Sequence, residues 1–508
     1  MDRPTRGLAL AVLCLSAFVV NVDTTIVNVA LPTLVGALDA STRDLQWIVD
    51  SYLLVFAALV LAFGALSDRL GRRRVLLVGL VVFGVGNALA GLSDTTGQLI
   101  AARAFTGVGA AAVFPTTLSL ITTIFVERKE RAAAIGLWGA STGLAVALGP
   151  ITGGALLEAF WWGSTFWVKV PVALLALALV LAVVPESRTS PGGRFDTAGL
   201  LLSSTALAVL VLTVIEAPNV GWASGRTLAG LVLALALGAA FLAAERRAAD
   251  PLLDVALFRD PRFTAASASI TIAFFALFGF IFLITQYFQF LRGYSALESG
   301  LRVTPVAVCV ALGSILGTLL VTRVGNKAVV TTGLLSLTAA YAWISTASLA
   351  TSYTEIAGQM VLLGLGMGLT AAPATESVMG AVTDGKAGVG SAVNDAAREV
   401  GGTLGVAVIG SVFASLYAAR LDEATLPGQL RAAAGESVGA AYAVAAQAPG
   451  ETGQAVLAAA QAGFLDGLQA GCLVAAAVAL AGAALAAVAL PARPADVDLP
   501  SVPVEVGG

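Results

Sequence analysis

Apolar runs of about 20 residues recur along nearly the whole chain, and this repetition restricts the fold more than any single motif. Segments at 8–30, 46–66, 75–92, 98–122, 132–156, 165–184, 197–216, 227–243, 264–288, 300–321, 330–348, 354–378, 389–412 and 462–490 are each long and greasy enough to cross a bilayer as a helix. In lipid, only a helix or a closed barrel satisfies every backbone polar group internally. A soluble core cannot absorb this much apolar surface. Of 508 residues, 58% are hydrophobic and 12% charged, about half the charged share of a soluble protein. The sequence therefore predicts an all-α integral membrane protein with fourteen transmembrane helices. The first run imitates a signal peptide but lacks a small-residue cleavage site, so it is read as a spanning helix that stays.

Basic residues set the orientation. With the N-terminus in the cytoplasm, the inner segments carry Arg3, Arg6, Arg69, Arg72, Arg73, Arg74, Arg128, Lys129, Arg131, Arg188, Arg194, Arg246, Arg247, Arg259, Arg262, Arg323, Lys327, Lys386 and Arg493. The outer segments carry only Arg43, Arg226, Arg292, Arg302, Arg420 and Arg431. This asymmetry follows the positive-inside rule and returns the C-terminus to the cytoplasm. Two connections are long: 245–262, expected to hold a short amphipathic helix, and 414–460 outside, expected to form one or two short helices over the mouth. The tail 491–508 reads as disordered. The expected division is a six-helix bundle at 1–190, an inserted pair with its loop at 191–262, and a second six-helix bundle at 263–490.

Several function classes drop out. Histidine is absent, so proton work near neutral pH falls to carboxylates. Cys14, Cys309 and Cys472 each stand alone in an apolar run, which suits neither a disulfide framework nor a metal site. No phosphate-binding loop of the form GxxxxGK[ST] is present. An enzyme, an ATP-driven pump and a cofactor are all disfavoured. No nucleic-acid partner is indicated, and a monomer is expected. A membrane-embedded sensor or scaffold stays as a rival, weakened by the lack of a long soluble domain.

An ionisable side chain at membrane depth is costly and marks function by default. Asp23 lies in "VDTTIVNVALP", and Arg103 in "LIAARAFTGVGAAA". A carboxylate in a dry cavity can exchange a proton as its surroundings open and close, and an arginine can pair with it. The bland alternatives are a tie from Asp23 to Thr24 or Asn28, and a purely structural salt link at Arg103. In "NDAAREVGG", Asp395, Arg398 and Glu399 sit at i, i+3 and i+4, which places them on one helix face beside Asn394. Arg398 is expected to hold one acid charged and leave the other to titrate. The alternative puts the triad in wet interfacial turns. Glu376 is a weaker candidate near the inner end of its span. Asp50 and Glu355 read as interfacial. Lys169, in "FWVKVP", either snorkels outward among Trp161, Trp162 and Trp167 or attracts an anionic group, with the first preferred. The expected proton-coupling residues are Asp23, Arg103, Asp395 and Glu399. The expected cavity residues are Asn28, Lys169, Glu376, Asn394 and Arg398.

Glycine spacing points to close helix crossings. In "GASTGLAVALGPITGG", Gly139 and Gly143, then Gly149 and Gly153, are four apart, so each pair faces one neighbour, with Pro150 and Gly154 beside the second pair. This helix is a candidate sliding seam between two halves. In "GALSDRLGRRR", Gly64, Asp68, Arg69, Gly71 and Arg72 build a cytoplasmic turn, with Asp68 expected to cap it. "TRVGNK" at 322–327 echoes "DRLGRR" at 68–73, with Thr322 in the place of Asp68, which suggests a duplicated chain.

These motifs together resemble the major facilitator superfamily, and specifically its fourteen-span drug/proton antiporters. "VDTTIVNVALP", "GALSDRLGRRRVL", "LIAARAFTGVGAA", "GASTGLAVALGPITGG" and "GVGSAVNDAAREVGGTLGVAVIG" are similar to the group's span-one, loop, span-four, span-five and span-thirteen segments. The resemblance covers nearly the whole chain. It implies export of hydrophobic, often cationic, drugs or natural products from a bacterial cell membrane in exchange for protons moving inward. It also implies coupling roles for the positions of Asp23 and Arg103. One departure matters: Lys169 stands where the pattern has asparagine, and this extra cation weakens the case for a cationic substrate. A dedicated exporter of one self-made antibiotic is the main alternative, and a nutrient importer a lesser one.

Overall fold

The computed structural model describes residues 3–187, 196–249, 251–381, 387–424, 426–448 and 450–491. The helices in the first half are α1 (Arg3–Leu38), α2 (Thr42–Leu70), α3 (Arg72–Gly91), α4 (Thr96–Ile124), α5 (Arg128–Ala159) and α6 (Ser164–Val183). The inserted pair is α7 (Thr197–Val220) and α8 (Gly225–Glu245). The second half holds α9 (Pro261–Gln286), continued by a π-turn at Tyr287–Leu291, then α10 (Ala296–Val324), α11 (Asn326–Ile344), α12 (Tyr353–Gly380) and α13 (Ala387–Glu423). Two short helices, α14 (Gly428–Glu436) and α15 (Val438–Gln447), precede the last long one, α16 (Gly450–Ala489). Among the described residues, 13 helices are long and apolar enough to span a membrane. The 32-residue α5 occupies the remaining expected segment. The chain is an all-α, multi-pass membrane protein.

The packing repeats. In the first bundle α2 and α3 both pack on α4, α1 packs on α5, and α3 packs on α6. In the second, α10 and α11 pack on α12, α9 on α13, and α11 on α16. Each bundle therefore uses the same pairings in the same chain order. The bundles meet along two seams, α5 against α10 and α2 against α13. The inserted α7 lies in the groove between α2 and α13, where Val211, Val214 and Ile215 pack with Ala407. Ser411 donates to the Val214 carbonyl at 2.9 Å, and Arg43 pairs with Glu216. Helix α8 rests chiefly on α7.

The loop echo is a shared geometry. A single glycine links α2 to α3 and another links α10 to α11. Gly71 has φ of 107° and Gly325 φ of 85°, a left-handed conformation that favours glycine. The residue after each glycine reaches the end of a neighbouring helix. Arg72 donates to Thr123 of α4, and Asn326 to Ser377 of α12. The segment after α6 also joins the first turn: Arg73 N–H donates to Glu186 at 3.2 Å. The Asp68 side chain and the surroundings of Gly143 fall outside the described residues.

Two loop expectations change. The connection expected at 414–460 shrinks, because the alanine-rich flanks extend α13 to Glu423 and start α16 at Gly450. What remains folds as α14 and α15. They lie over the end of the molecule remote from the N-terminus, the distal end, where Tyr417 donates to the Ala434 carbonyl at 3.1 Å and Thr42 to the Glu436 carbonyl at 3.2 Å. Among the described residues, the 245–262 loop forms a 3₁₀ turn at Val255–Arg259, capped by Asp254, in place of a longer amphipathic helix. Pro251 and Pro261 bracket it, and Pro261 restarts a helix. The expected disordered tail lies outside the described residues from 492 onward.

Candidate functional site

The glycines of α5 bring three helices together. A Cβ on Gly149 would strike Thr25 of α1, and one on Gly153 would lie 2.8 Å from Ile26. That glycine pair therefore faces α1, inside its own bundle. The seam face is one residue on. A Cβ on Gly154 would meet three backbone atoms of Ala296 and Leu297 within 2.7 Å, and Gly300 of α10 sits against the Pro150 carbonyl. The sliding seam thus runs through Pro150 and Gly154. At Gly139 a Cβ would meet nothing within 4 Å among the described residues. On α4, Gly107 lies against the Tyr52 carbonyl and Gly109 against Phe83, so α2 and α3 approach closely.

This close packing buries Asp23 at the centre of the first bundle. Its two carboxylate oxygens accept from different cations: Oδ2 from Arg103 of α4 and Oδ1 from Lys169 of α6. All three side chains are at most 1% exposed. The local tie of Asp23 to Thr24 or Asn28 is not formed. Thr24 donates to the Asn21 carbonyl, and Asn28 to the Thr24 carbonyl at 2.9 Å. Arg103 Nε also donates to the Ile48 carbonyl at 3.1 Å, and its guanidinium lies 4.3 Å from the Tyr52 ring centroid. Its Nη2 has no hydrogen-bond partner.

The preferred reading of Lys169 is overturned. Its ammonium does not snorkel; it turns inward to Asp23 and sits 4.6 Å from the Phe166 ring centroid. The tryptophans are engaged elsewhere: Trp167 packs on Gly91 and Trp161 is exposed. A buried carboxylate offers far more to an ammonium at this depth than a ring edge does.

The second cluster lies on α13, well inside the helix. Asn394, Asp395 and Glu399 are buried, which rules out the wet interfacial placement. Thr375 of α12 donates to Asn394 Oδ1 at 2.8 Å, and Asn394 donates to Asp395 Oδ1 at 3.3 Å. Asp395 Oδ2 and Glu399 Oε2 have no partner. Arg398 does not neutralise either acid by a direct ion pair, contrary to expectation. Its guanidinium lies between two rings, 5.3 Å from Phe114 of α4 and 4.6 Å from Phe274 of α9. Sharing a helix face fixed its direction but not its partner. Through Phe114 it joins the two bundles.

Glu376 is exposed near the inner end of α12. One further expectation fails. Asp50, read as interfacial, is fully buried, and neither carboxylate oxygen has a partner. Its neighbour one turn away, Gln46, reaches across the α2–α13 seam to Ser411 at 3.4 Å. Glu355 does occupy a first helical turn, near Trp343. The sequence reading also passed over Tyr52, whose hydroxyl donates to the Val20 carbonyl at 3.4 Å while its ring covers Arg103. The spacing of Gln46 and Asp50 in "QWIVDSY" was the available signal, since it marks a polar face on α2.

Comparison with known proteins places this architecture. The family model described as Major Facilitator Superfamily matches residues 13–406. The chain is 37% identical over 488 residues to the multidrug efflux pump LfrA of Mycolicibacterium smegmatis, covering 96% of this chain and 97% of that one. It is 33% identical to the tetracenomycin C resistance and export protein of Streptomyces glaucescens, covering 97% and 94%. Among solved structures, an inward-facing, occupied bacterial homologue of the human lysosomal transporter Spinster superposes with a TM-score of 0.67 at 17% identity, covering 96% of this chain and 98% of that one. That last likeness concerns the fold alone.

Proposed function

Because this chain belongs to the major facilitator superfamily, we propose that it is a fourteen-span drug/proton antiporter that exports hydrophobic compounds by alternating access. Its relatives are efflux and resistance proteins, which supports transport over enzymatic or signalling work. The observation that carries the proton-coupled reading is the set of buried acids on both bundles. Asp23 already pairs with two cations, whereas Asp395 and Glu399 each keep an orphaned oxygen. A buried carboxyl oxygen with no donor facing it has room to carry a proton. The α13 acids are therefore the proposed proton-uptake pair, and Asp23 with Arg103 the element whose pairing changes as the bundles rock.

With the termini in the cytoplasm, the distal end faces outward. There the bundles touch: Gln289 of the π-turn donates to the Val29 carbonyl of α1 at 3.0 Å, and Ser295 to Glu158 of α5. Opening these contacts would release substrate and admit a proton. One charge moving inward gains about 2.3 kcal/mol per 100 mV, enough for roughly fiftyfold accumulation. Dedication to a single natural product is the second reading, favoured by the likeness to a tetracenomycin C resistance and export protein.

Everted membrane vesicles with an imposed pH gradient test the proposal. Wild-type chain is expected to accumulate a fluorescent dye and to collapse the gradient when dye is added. Asp395→Asn with Glu399→Gln is expected to bind dye and lose gradient-driven accumulation. Undiminished accumulation in that double variant would remove the α13 acids from coupling.

A further inference from the structure

The Asp23 cluster holds one more positive charge than negative. Asp23 is a single carboxylate, yet it meets Arg103 and Lys169, and all three side chains are buried. Both carboxylate oxygens are taken, so Asp23 offers nothing to an incoming cation unless Lys169 or Arg103 first lets go. The donor side is not saturated: Arg103 Nη2 is buried without an acceptor. A buried guanidinium nitrogen in that state costs free energy that a carbonyl, phenolate or carboxylate oxygen would relieve.

We infer that Lys169 is a specificity-determining residue that makes the α1–α4–α6 cluster an acceptor-binding site, selecting hydrophobic compounds with an anionic or acceptor oxygen over lipophilic cations. The ammonium occupies the place at Asp23 that a cationic substrate would need. It excludes cations twice, by filling the carboxylate and by leaving the cluster net positive, which is discrimination by repulsion as well as attraction. The rings of Tyr52 and Phe166 flank the two cations and supply apolar contact beside the vacant donor. The inference rests on the export reading for its substrate, but not for its test.

Triphenylacetate, which presents carboxylate oxygens, and methyltriphenylphosphonium are close in size and differ in sign of charge. Their binding to the full chain in nanodiscs, with empty nanodiscs subtracted, gives a preference ratio. Wild type is expected to favour the triphenylacetate. Lys169→Met, which keeps the apolar stem and brings the cluster to neutrality, is expected to lower the ratio about tenfold, or 1.4 kcal/mol. Asp23→Asn, which adds a unit of net positive charge, is expected to raise it by a similar factor. The two shifts have opposite signs, so a fold defect that weakens all binding cannot imitate them. If one variant does not fold, the other still reads the ratio. A wild-type preference for the phosphonium, a ratio in Lys169→Met within twofold of wild type, or no binding of either ion would overturn the inference. A chain that shows the preference but moves no compound across a membrane would keep it and sink the export reading instead.

Discussion

Adding one methyl group at the α5–α10 seam should open the distal side. A Cβ built on Gly154 lies 2.5 Å from Leu297 Cα, 2.6 Å from Ala296 O and 2.7 Å from Leu297 N. All three are backbone atoms, so no side-chain rotation relieves the overlap. The seam must separate or the two helices must shift. Overpacking of this kind costs about 1–3 kcal/mol. The penalty falls only on the state in which the distal ends touch. Alanine's helical advantage over glycine, about 1 kcal/mol, is shared by both states and cancels. A differential of this size moves a two-state population about 5- to 150-fold. Spin labels at Phe160→Cys and Leu349→Cys, both exposed at the distal end of opposite bundles, report the change as a distance distribution once Cys14, Cys309 and Cys472 are replaced by alanine. Gly154→Ala and Gly300→Ala are each expected to transfer most of the population to the longer distance. Gly139→Ala, where a Cβ meets nothing within 4 Å among the described residues, is the control and is expected to leave the distribution alone. A wild-type distribution in Gly154→Ala, or an equal shift in Gly139→Ala, would refute the argument that this seam closes by backbone contact.

The charge arithmetic at Asp23 predicts a stability order. Asp23→Asn leaves Arg103 and Lys169 buried together without an anion and is expected to cost about 3–5 kcal/mol, whereas Lys169→Met leaves a balanced pair and should cost much less; thermal unfolding in detergent, with the double variant completing a cycle, checks whether removing Lys169 recovers part of the Asp23→Asn loss. The glycine linkers carry a backbone prediction. Gly325→Ala forces a φ of 85° on a residue with a Cβ and is expected to destabilise by about 1–2 kcal/mol, and Gly71→Ala, at a φ of 107°, by a similar amount, because the Glu186 carboxylate within 3 Å of the new methyl ends a flexible side chain that can swing aside; equal unfolding temperatures for both variants and wild type would contradict this.

The sequence alone determined what depends on one helix at a time. Span positions follow from runs of apolar residues that need no partner to be read, and the single-glycine turns at Gly71 and Gly325 follow from a local backbone requirement. The face shared by Asp395, Arg398 and Glu399 follows from helical periodicity. Tertiary structure decided which neighbour each of those faces meets. Lys169 turned to Asp23 because α6 and α1 pack side by side, 146 residues apart in the chain. Arg398 went to Phe114 and Phe274 because α4 and α9 both border α13. The α5 glycines divided their work between α1 and α10, one residue out of step. Asp50 is buried because α13 covers the face of α2 that a lone helix would expose. A buried charge is settled by whichever opposite charge or ring the bundle brings within reach, and no pattern along a single segment carries that information.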